Sequence, residues 1–306
     1  MAAYVDPRFR PTLWPGTPVP PPELEPVEDA QVDGGFIIWS AGEPGRTRMT
    51  VPLPEDFYLR ELLEIEPGDM ASVAALMRSY GHFCGTSEDL DLYNWTFEAE
   101  QEVTRLEGQE HPQARGWSMH QDLVAIHLRE AQEAVRTWIA CQREGGLDEL
   151  IEPDITEEYL AQVRQENVDV RTLDQLRELE VWLRLEQLKS SLHAALSSFS
   201  IGVGSLTDRR PTIYSVAFLQ MYNHIAENAT IRECANETCR RAFVRQRGRA
   251  EYGQNRTSGI KYCTRECARA QAQRELRRRR KQQRHESTPN PEPGAPEPTT
   301  IAPQGA

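Results

Sequence analysis

The sequence predicts a mainly α-helical protein with a small cysteine-containing module near its C-terminal end, on three observations. Apolar residues recur at steps of three and four through the middle of the chain, which is the spacing of a helix face. Of 21 prolines, 11 lie in residues 1–54 and 6 in residues 286–306. Four of the six cysteines form two close pairs. These features divide the chain into a Pro-rich N-terminal segment (1–54), a helical domain of unknown function (55–230), a cysteine module (231–285) and a disordered tail (286–306).

The N-terminal segment is expected to be a tail because its prolines cannot continue a helix or donate to a sheet. Pro18 and the run 20–22 favour an extended, polyproline-like chain. The apolar patch at 36–39 interrupts this composition and predicts a short strand that docks on the body.

The body is expected to be helical because its apolar residues fall on single helix faces. In 120–143 these residues are Val124, Leu128, Ala131, Val135 and Trp138, and in 171–200 they are Leu185, Leu188, Leu192, Leu196 and Phe199. Further helices are predicted at 55–66, 69–82, 88–107, 155–166 and 212–229, with Asp69, Thr156 and Thr212 near their starts. The domain is long enough to bury a core.

Charge is distributed in two opposite blocks. Residues 1–230 hold 18 Arg and Lys against 39 Asp and Glu, whereas residues 231–285 hold 17 against 5. Because an acidic body repels phosphate, binding to nucleic acid is expected only at the C-terminal block. The N-terminal residues lack the apolar core of a secretory signal, and no run is long enough to span a membrane, so a cytoplasmic protein is expected. Arginine outnumbers lysine 32 to 3, which suggests a GC-rich bacterial genome.

The module contains the pattern Cys234-x4-Cys239, then 23 residues, then Cys263-x3-Cys267. Two close thiol pairs in a reducing compartment suit a tetrahedral zinc ion, and four thiolates leave no open position for catalysis. The segment 241–245 is predicted as a strand that pairs with a returning strand at 260–262, and a helix capped by Thr264 follows Cys263. The predicted order of knuckle, hairpin and helix is that of a treble clef.

Other residues offer weaker candidates for chemistry. Cys84 and Cys141 are isolated in helical sequence and are expected to be buried free thiols. His120 and His127 lie seven residues apart on one predicted helix, but a second metal site there is disfavoured because no metal-binding motif surrounds them. No histidine lies between 225 and 284, which disfavours a nuclease, and the chain is expected not to be an enzyme.

The segment from Ile231 to Arg280, with CANETC, then YCTREC leading into an arginine-rich helix, resembles the CGNR-type zinc finger of bacterial transcription regulators. The four cysteines match that family's zinc-ligand positions. Where the family has Cys-Gly-Asn-Arg, this chain has Cys-Ala-Arg-Ala at 267–270, and its last cysteine pair is one residue tighter. The resemblance covers about a sixth of the chain, and it implies DNA binding and a regulatory role.

The basic helix predicts nucleic-acid binding independently of that resemblance. Its consecutive arginines at 277–280 point all round the helix, which suits contacts to phosphate more than to bases. Gln271, Gln273 and Asn255 are the better candidates for base edges. The predicted nucleic-acid-binding residues are Arg245, Arg247, Arg249, Arg256, Arg265, Arg269, Arg274, Arg277, Arg278, Arg280 and Lys281.

Three other interpretations of the charge run stay open. It could be a solvated helix end, or it could contact the acidic body of the same chain until nucleic acid displaces it. It could also belong to a protein-interaction adaptor that uses a structural zinc module to bind an acidic partner. DNA is favoured over RNA as the partner, and binding to a membrane is not expected.

Overall fold

The fold is described from a computed structural model, which describes residues 4–9, 18–40, 49–85, 90, 97–112, 114, 116–165, 169–199, 210–227, 229–245 and 261–286. The prediction of a mainly helical fold with a C-terminal cysteine cluster is confirmed. The helices are α1 (Phe57–Arg60), α2 (Met70–Tyr80), α3 (Phe97–Glu107), α4 (Gln121–Cys141), α5 (Gly146–Ile151), α6 (Glu157–Gln165), α7 (Leu173–Leu196), α8 (Ile213–Ala226) and α9 (Arg265–Glu286). Short 3₁₀ turns follow α1, α5 and α7 at Leu62–Glu64, Glu152–Asp154 and Ser197–Phe199.

The predicted helix starts are confirmed by their capping bonds. The Asp69 carboxylate accepts from the backbone N–H of Ser72 at 3.0 Å, and the Thr212 hydroxyl and Ser215 form a reciprocal capping box at the start of α8. Thr156 accepts from the N–H of Tyr159 at 3.1 Å. Each bond satisfies a backbone N–H that has no partner inside its own helix.

The core lies where α4 packs against α7 and α8. All five residues predicted on the α4 face are buried, from Val124 to Trp138, as are Leu185, Leu188 and Leu192 of α7. A fully buried aliphatic or aromatic side chain contributes about 1.5–3 kcal/mol, so this three-helix layer stabilises the body.

A three-stranded antiparallel sheet lies beside the helices, with strand order β1 (Gln31–Asp33), β2 (Phe36–Trp39) and β3 (Trp117–His120). Gly34 and Gly35 form the turn between β1 and β2 with φ of 53° and 83°, backbone angles that residues other than glycine adopt only with strain. The predicted strand at 36–39 is therefore confirmed, with Ile37 fully buried in the core. Strand β3 was not predicted.

The expectation that the N-terminal segment is a tail is wrong in its described parts. Leu24 and Val27 are buried in the same core as the helices, and Leu24 exchanges two backbone hydrogen bonds of 2.8 Å with Val51. The Val27 N–H donates to the carbonyl of Met77 at 2.9 Å. The prolines leave the chain extended, and its apolar residues pack on the body in that form. The predicted tail beyond residue 286 lies outside the described residues.

The antiparallel strands β4 (Thr230–Glu233) and β5 (Ala242–Arg245) join the cysteine module to the body. Ile231, Ala242 and Val244 pack against the main core, and the Arg241 guanidinium forms an ion pair of 2.7 Å with Glu64. The predicted strand at 241–245 is confirmed. The prediction that it pairs with a returning strand is wrong, because Lys261 and Tyr262 are not in a strand. Pairing with Thr230–Glu233 wins because it buries the three apolar side chains together.

Within the described ranges, no helix combines the length and the apolar character that crossing a membrane requires.

Candidate metal centre and basic helix

The first cysteine pair lies in a tight turn between β4 and β5, called here the knuckle (residues 234–239). The Cys234 N–H donates to the Arg241 carbonyl at 2.8 Å, which closes the base of the turn. The N–H groups of Cys239 and Arg240 both donate to the Asn236 carbonyl, at 2.8 and 3.2 Å. Arg240 has a φ of 52°, so the chain reverses sharply after the second thiol.

The second cysteine pair lies at the start of α9. As predicted, the Thr264 hydroxyl caps this helix by accepting from the Cys267 N–H at 3.2 Å. Cys263 precedes the cap and Cys267 lies in the first turn. The Lys261 carbonyl accepts from the N–H of Ala235 at 2.7 Å, which holds this segment against the knuckle.

The four cysteine sulfur atoms form one cluster. All lie within 4.8 Å of one another, with 3.6 Å between the Sγ atoms of Cys239 and Cys263 and 3.5 Å between those of Cys263 and Cys267. Cys234 is fully buried and its Sγ accepts from the Cys263 N–H at 3.4 Å. A tetrahedral ion with metal–sulfur bonds of about 2.3 Å requires sulfur atoms about 3.8 Å apart. The cluster therefore has the donor set and nearly the spacing of a four-thiolate metal site.

The thiols differ in acidity. Burial raises the pKa of Cys239, and burial together with the three neighbouring thiols raises that of Cys263. The side chains of Asn236 and Thr264 lower the pKa of Cys267 to about 7. Because a metal ligates thiolates, a bound cation would remove the remaining protons and favour one compact arrangement of four sulfurs.

One face of α9 is attached to the knuckle by polar bonds. The guanidinium of Arg274 donates to the Asn236 side-chain oxygen and, at 2.6 Å, to the Thr238 hydroxyl. The guanidinium of Arg278 donates to both carboxylate oxygens of Glu237, at 2.7 and 2.5 Å. Bidentate pairs of this kind fix orientation as well as charge. Arg274 and Arg278, both predicted to bind nucleic acid, therefore already have partners inside the module.

Gln271 completes the attachment. Its side chain is 5% exposed, its Nε2 donates to the Glu237 carboxylate at 3.1 Å and its Oε1 accepts from the Glu237 N–H at 3.3 Å. The Arg278 guanidinium, followed by the Gln271 amide, lowers the pKa of Glu237 below its usual range. Gln271 was a candidate for a base edge, but in this structure both ends of its amide are bound within the module.

The other predicted basic residues divide between exposed positions and parts of the chain outside the description. Arg245 ends β5, and Arg247, Arg249, Arg256 and Asn255 lie outside the described residues. The remaining predicted residues on α9, Arg265, Arg269, Arg277, Arg280 and Lys281, are exposed, as is Arg279. In the described part of the chain, Arg277, Arg279, Arg280 and Lys281 have no ion-pair partner within 4.0 Å.

The remaining candidates do not join the site. Cys84 and Cys141 are buried and are not in disulfides, and burial raises the pKa of Cys141 to about 12. His120 caps α4 by accepting from the Asp122 N–H, while His127 is buried and its Nδ1 lies 2.9 Å from the Leu123 carbonyl oxygen. In the part of the chain that was described, the four cysteines are the one group of His, Cys, Asp or Glu side chains that could hold a metal ion.

No protein-family model, curated protein or solved structure matches this chain. The resemblance to CGNR-type zinc fingers therefore stays a prediction.

Proposed function

We propose that the chain is a zinc-dependent nucleic-acid-binding protein, with DNA as its partner, and that it regulates transcription. The observation that supports the proposal is the thiol cluster at the first turn of a 22-residue helix whose exposed surface is cationic. That helix is about 33 Å long, enough to follow a groove or a line of phosphates. The regulatory role rests on the resemblance to CGNR-type zinc fingers.

Zinc fits the cluster better than harder cations do, because all four donors are sulfur atoms. Zinc has no redox chemistry of its own, and a closed set of four thiolates gives it a structural role. It would connect the knuckle on the hairpin with the start of α9. This connection matters because few apolar side chains are buried among the described residues of the module, Phe243 being one of them.

DNA fits the exposed surface of α9 through charge. The acidic residues of the body would repel a polyanion, so attraction is confined to the module and its helix. Because Arg274 and Arg278 are bound to the knuckle, the phosphate contacts are assigned to the exposed cations Arg269, Arg277 and Arg280 and their neighbours.

A salt titration on the full chain tests this function. Binding to duplex DNA through about eight phosphate contacts gives a log–log slope of about −7 against salt concentration. Metal analysis of the same sample should find one zinc per chain. The Arg129→Ala variant, which removes an exposed charge from the acidic body, should retain the slope. A flat salt response, or DNA binding that survives complete removal of the metal, would contradict the proposal.

A second candidate is the protein-interaction adaptor, and one observation favours it. Arg278 binds the Glu237 carboxylate of the same chain with both nitrogens of its fork, and this contact supports recognition of carboxylates by the helix. An adaptor would bind an acidic peptide tightly and duplex DNA weakly. Competition between a poly-glutamate peptide and DNA for the full chain distinguishes the two functions.

A further inference from the structure

Two sets of residues lie on opposite faces of α9 and follow the same intervals along the sequence. The face bound to the cluster and the knuckle, called the knuckle face, consists of Cys267, Gln271, Arg274 and Arg278. The residues that lie two positions after each of these form a second set, called the outer face. It consists of Arg269, Gln273, Leu276 and Arg280, and all four are exposed. Each residue of a helix is rotated by about 100° from the one before, so a shift of two residues places the outer face about 200° from the knuckle face.

The outer face is flanked by cations on both sides. Arg277 lies on one side of it, about 60–80° from its centre line, and Arg279 lies on the other. The centre line itself contains an amide, Gln273, and an apolar side chain, Leu276, which is 50% exposed. An amide and a leucine between flanking arginines differ from a uniform phosphate-binding surface, which would have cations throughout.

We propose that α9 enters the major groove of B-form DNA with its outer face toward the bases, an inference that rests on the proposed function. A helix about 10–12 Å across fits a groove about 12 Å wide, and cations on both flanks then reach the phosphates of the two strands. Duplex RNA does not offer this fit because its major groove is deep and narrow. The knuckle is on the opposite side of the helix, so it does not obstruct the approach.

The outer face has the chemistry to recognise an A·T pair. The amide of Gln273 has a donor and an acceptor that match N6–H and N7 of adenine. Leu276, one turn further on, provides apolar contact for the methyl group of thymine. From Arg269 to Arg280 the helix rises about 16 Å, which corresponds to about five base pairs. Gln273 is therefore the specificity-determining residue, and the flanking cations provide affinity without sequence preference.

Selection of binding sites from a randomised duplex library by the full chain tests the inference. The wild-type protein should enrich a motif of about five base pairs that includes an A·T pair. The Gln273→Ala variant should lose about 10-fold discrimination at that one position. The Gln282→Ala variant is the matched control, since Gln282 is an exposed glutamine of the same helix away from the outer face, and it should select the wild-type motif.

The outcomes separate this inference from the proposed function. If the protein binds DNA with a steep salt dependence but without a motif, or if Gln273→Ala selects the wild-type motif, the major-groove inference is wrong while DNA binding stands. Equal affinity for duplex RNA and DNA also overturns it. A major-groove ligand such as methyl green should displace the protein, and displacement by a minor-groove ligand alone would contradict the geometry. Absence of any DNA binding overturns both proposals.

Discussion

The number of phosphate contacts made by α9 can be measured by removing exposed charges as a set. Arg269, Arg277 and Arg280 are exposed and lie away from the knuckle face, so a triple substitution by alanine leaves the attachment of the helix intact. Each lost phosphate contact reduces the slope of log affinity against log salt by about 0.9, so the three together should reduce it by about 2.7. Between 50 and 200 mM salt, the wild-type protein should lose about 40-fold more affinity than the variant.

The control is a triple alanine variant with the same change of net charge on the body. Arg129, Arg143 and Arg171 are exposed, and the side chains of Arg143 and Arg171 retain 61% and 79% of their accessible surface. Fluorescence anisotropy of a labelled duplex at several salt concentrations gives both slopes. Alanine favours helix, so the triple variant in α9 should keep its far-ultraviolet circular dichroism. Equal slopes for the two variants would refute the assignment, because net charge alone would then explain the binding.

Three further perturbations have defined outcomes. Glu237→Gln should release the Arg278 guanidinium on the knuckle face, which is turned away from the DNA, so the salt slope in the same anisotropy titration should not change. Glu233→Gln, which removes an exposed carboxylate paired with Arg240, is the control, and a slope about 0.9 steeper in Glu237→Gln alone would contradict this orientation of the helix. Cys267→Ser should lower the zinc content below one per chain and weaken DNA binding, as measured by metal analysis and anisotropy. Cys84→Ala is the control and should keep both the zinc and the affinity. An unchanged metal content in Cys267→Ser would contradict the ligand assignment. Burial lowers the pKa of His224 to about 4 from about 6.5, so its contribution to stability is complete above pH 6.5 and is lost as pH falls toward 4. Urea unfolding between these pH values should show a loss of about 3 kcal/mol that is absent in His224→Asn, and parallel pH profiles for the two proteins would contradict it.

The sequence predicted those features that depend on short stretches of chain. The four thiols, the Thr264 cap and the starts of α2 and α8 each involve residues a few positions apart, and local spacing determines them. The long helices followed from periodicity because their apolar faces are wide and regular. Strand β3 was missed because its four residues directly precede α4 and give no separate period.

The features that the sequence did not predict depend on contacts between distant segments. Arg278 and Glu237 are 41 residues apart, and charge alone did not show that these arginines would be bound inside the module. The Pro-rich segment was expected to be a tail because proline content outweighed a few apolar residues. Those residues, Leu24 and Val27 among them, find burial sites only in the assembled core. Composition indicates how a segment behaves in isolation, but it does not reveal the surface of the folded protein against which the segment packs.

The position of the hairpin decides how the module should be tested. Ile231, Ala242 and Val244 belong to the module in sequence, but their side chains pack against the core of the body. A fragment that begins at residue 231 would expose these three side chains to water, so its DNA affinity would mix the properties of α9 with those of a disrupted hairpin. Competition between the acidic body and DNA for α9 is therefore better tested in the full chain, by neutralising acidic residues on the body and keeping the Arg241–Glu64 ion pair. If DNA affinity rises when carboxylates near α9 are neutralised but not when remote ones are, contact between the body and the helix is supported. If near and remote substitutions raise the affinity equally, the change in net charge explains the effect.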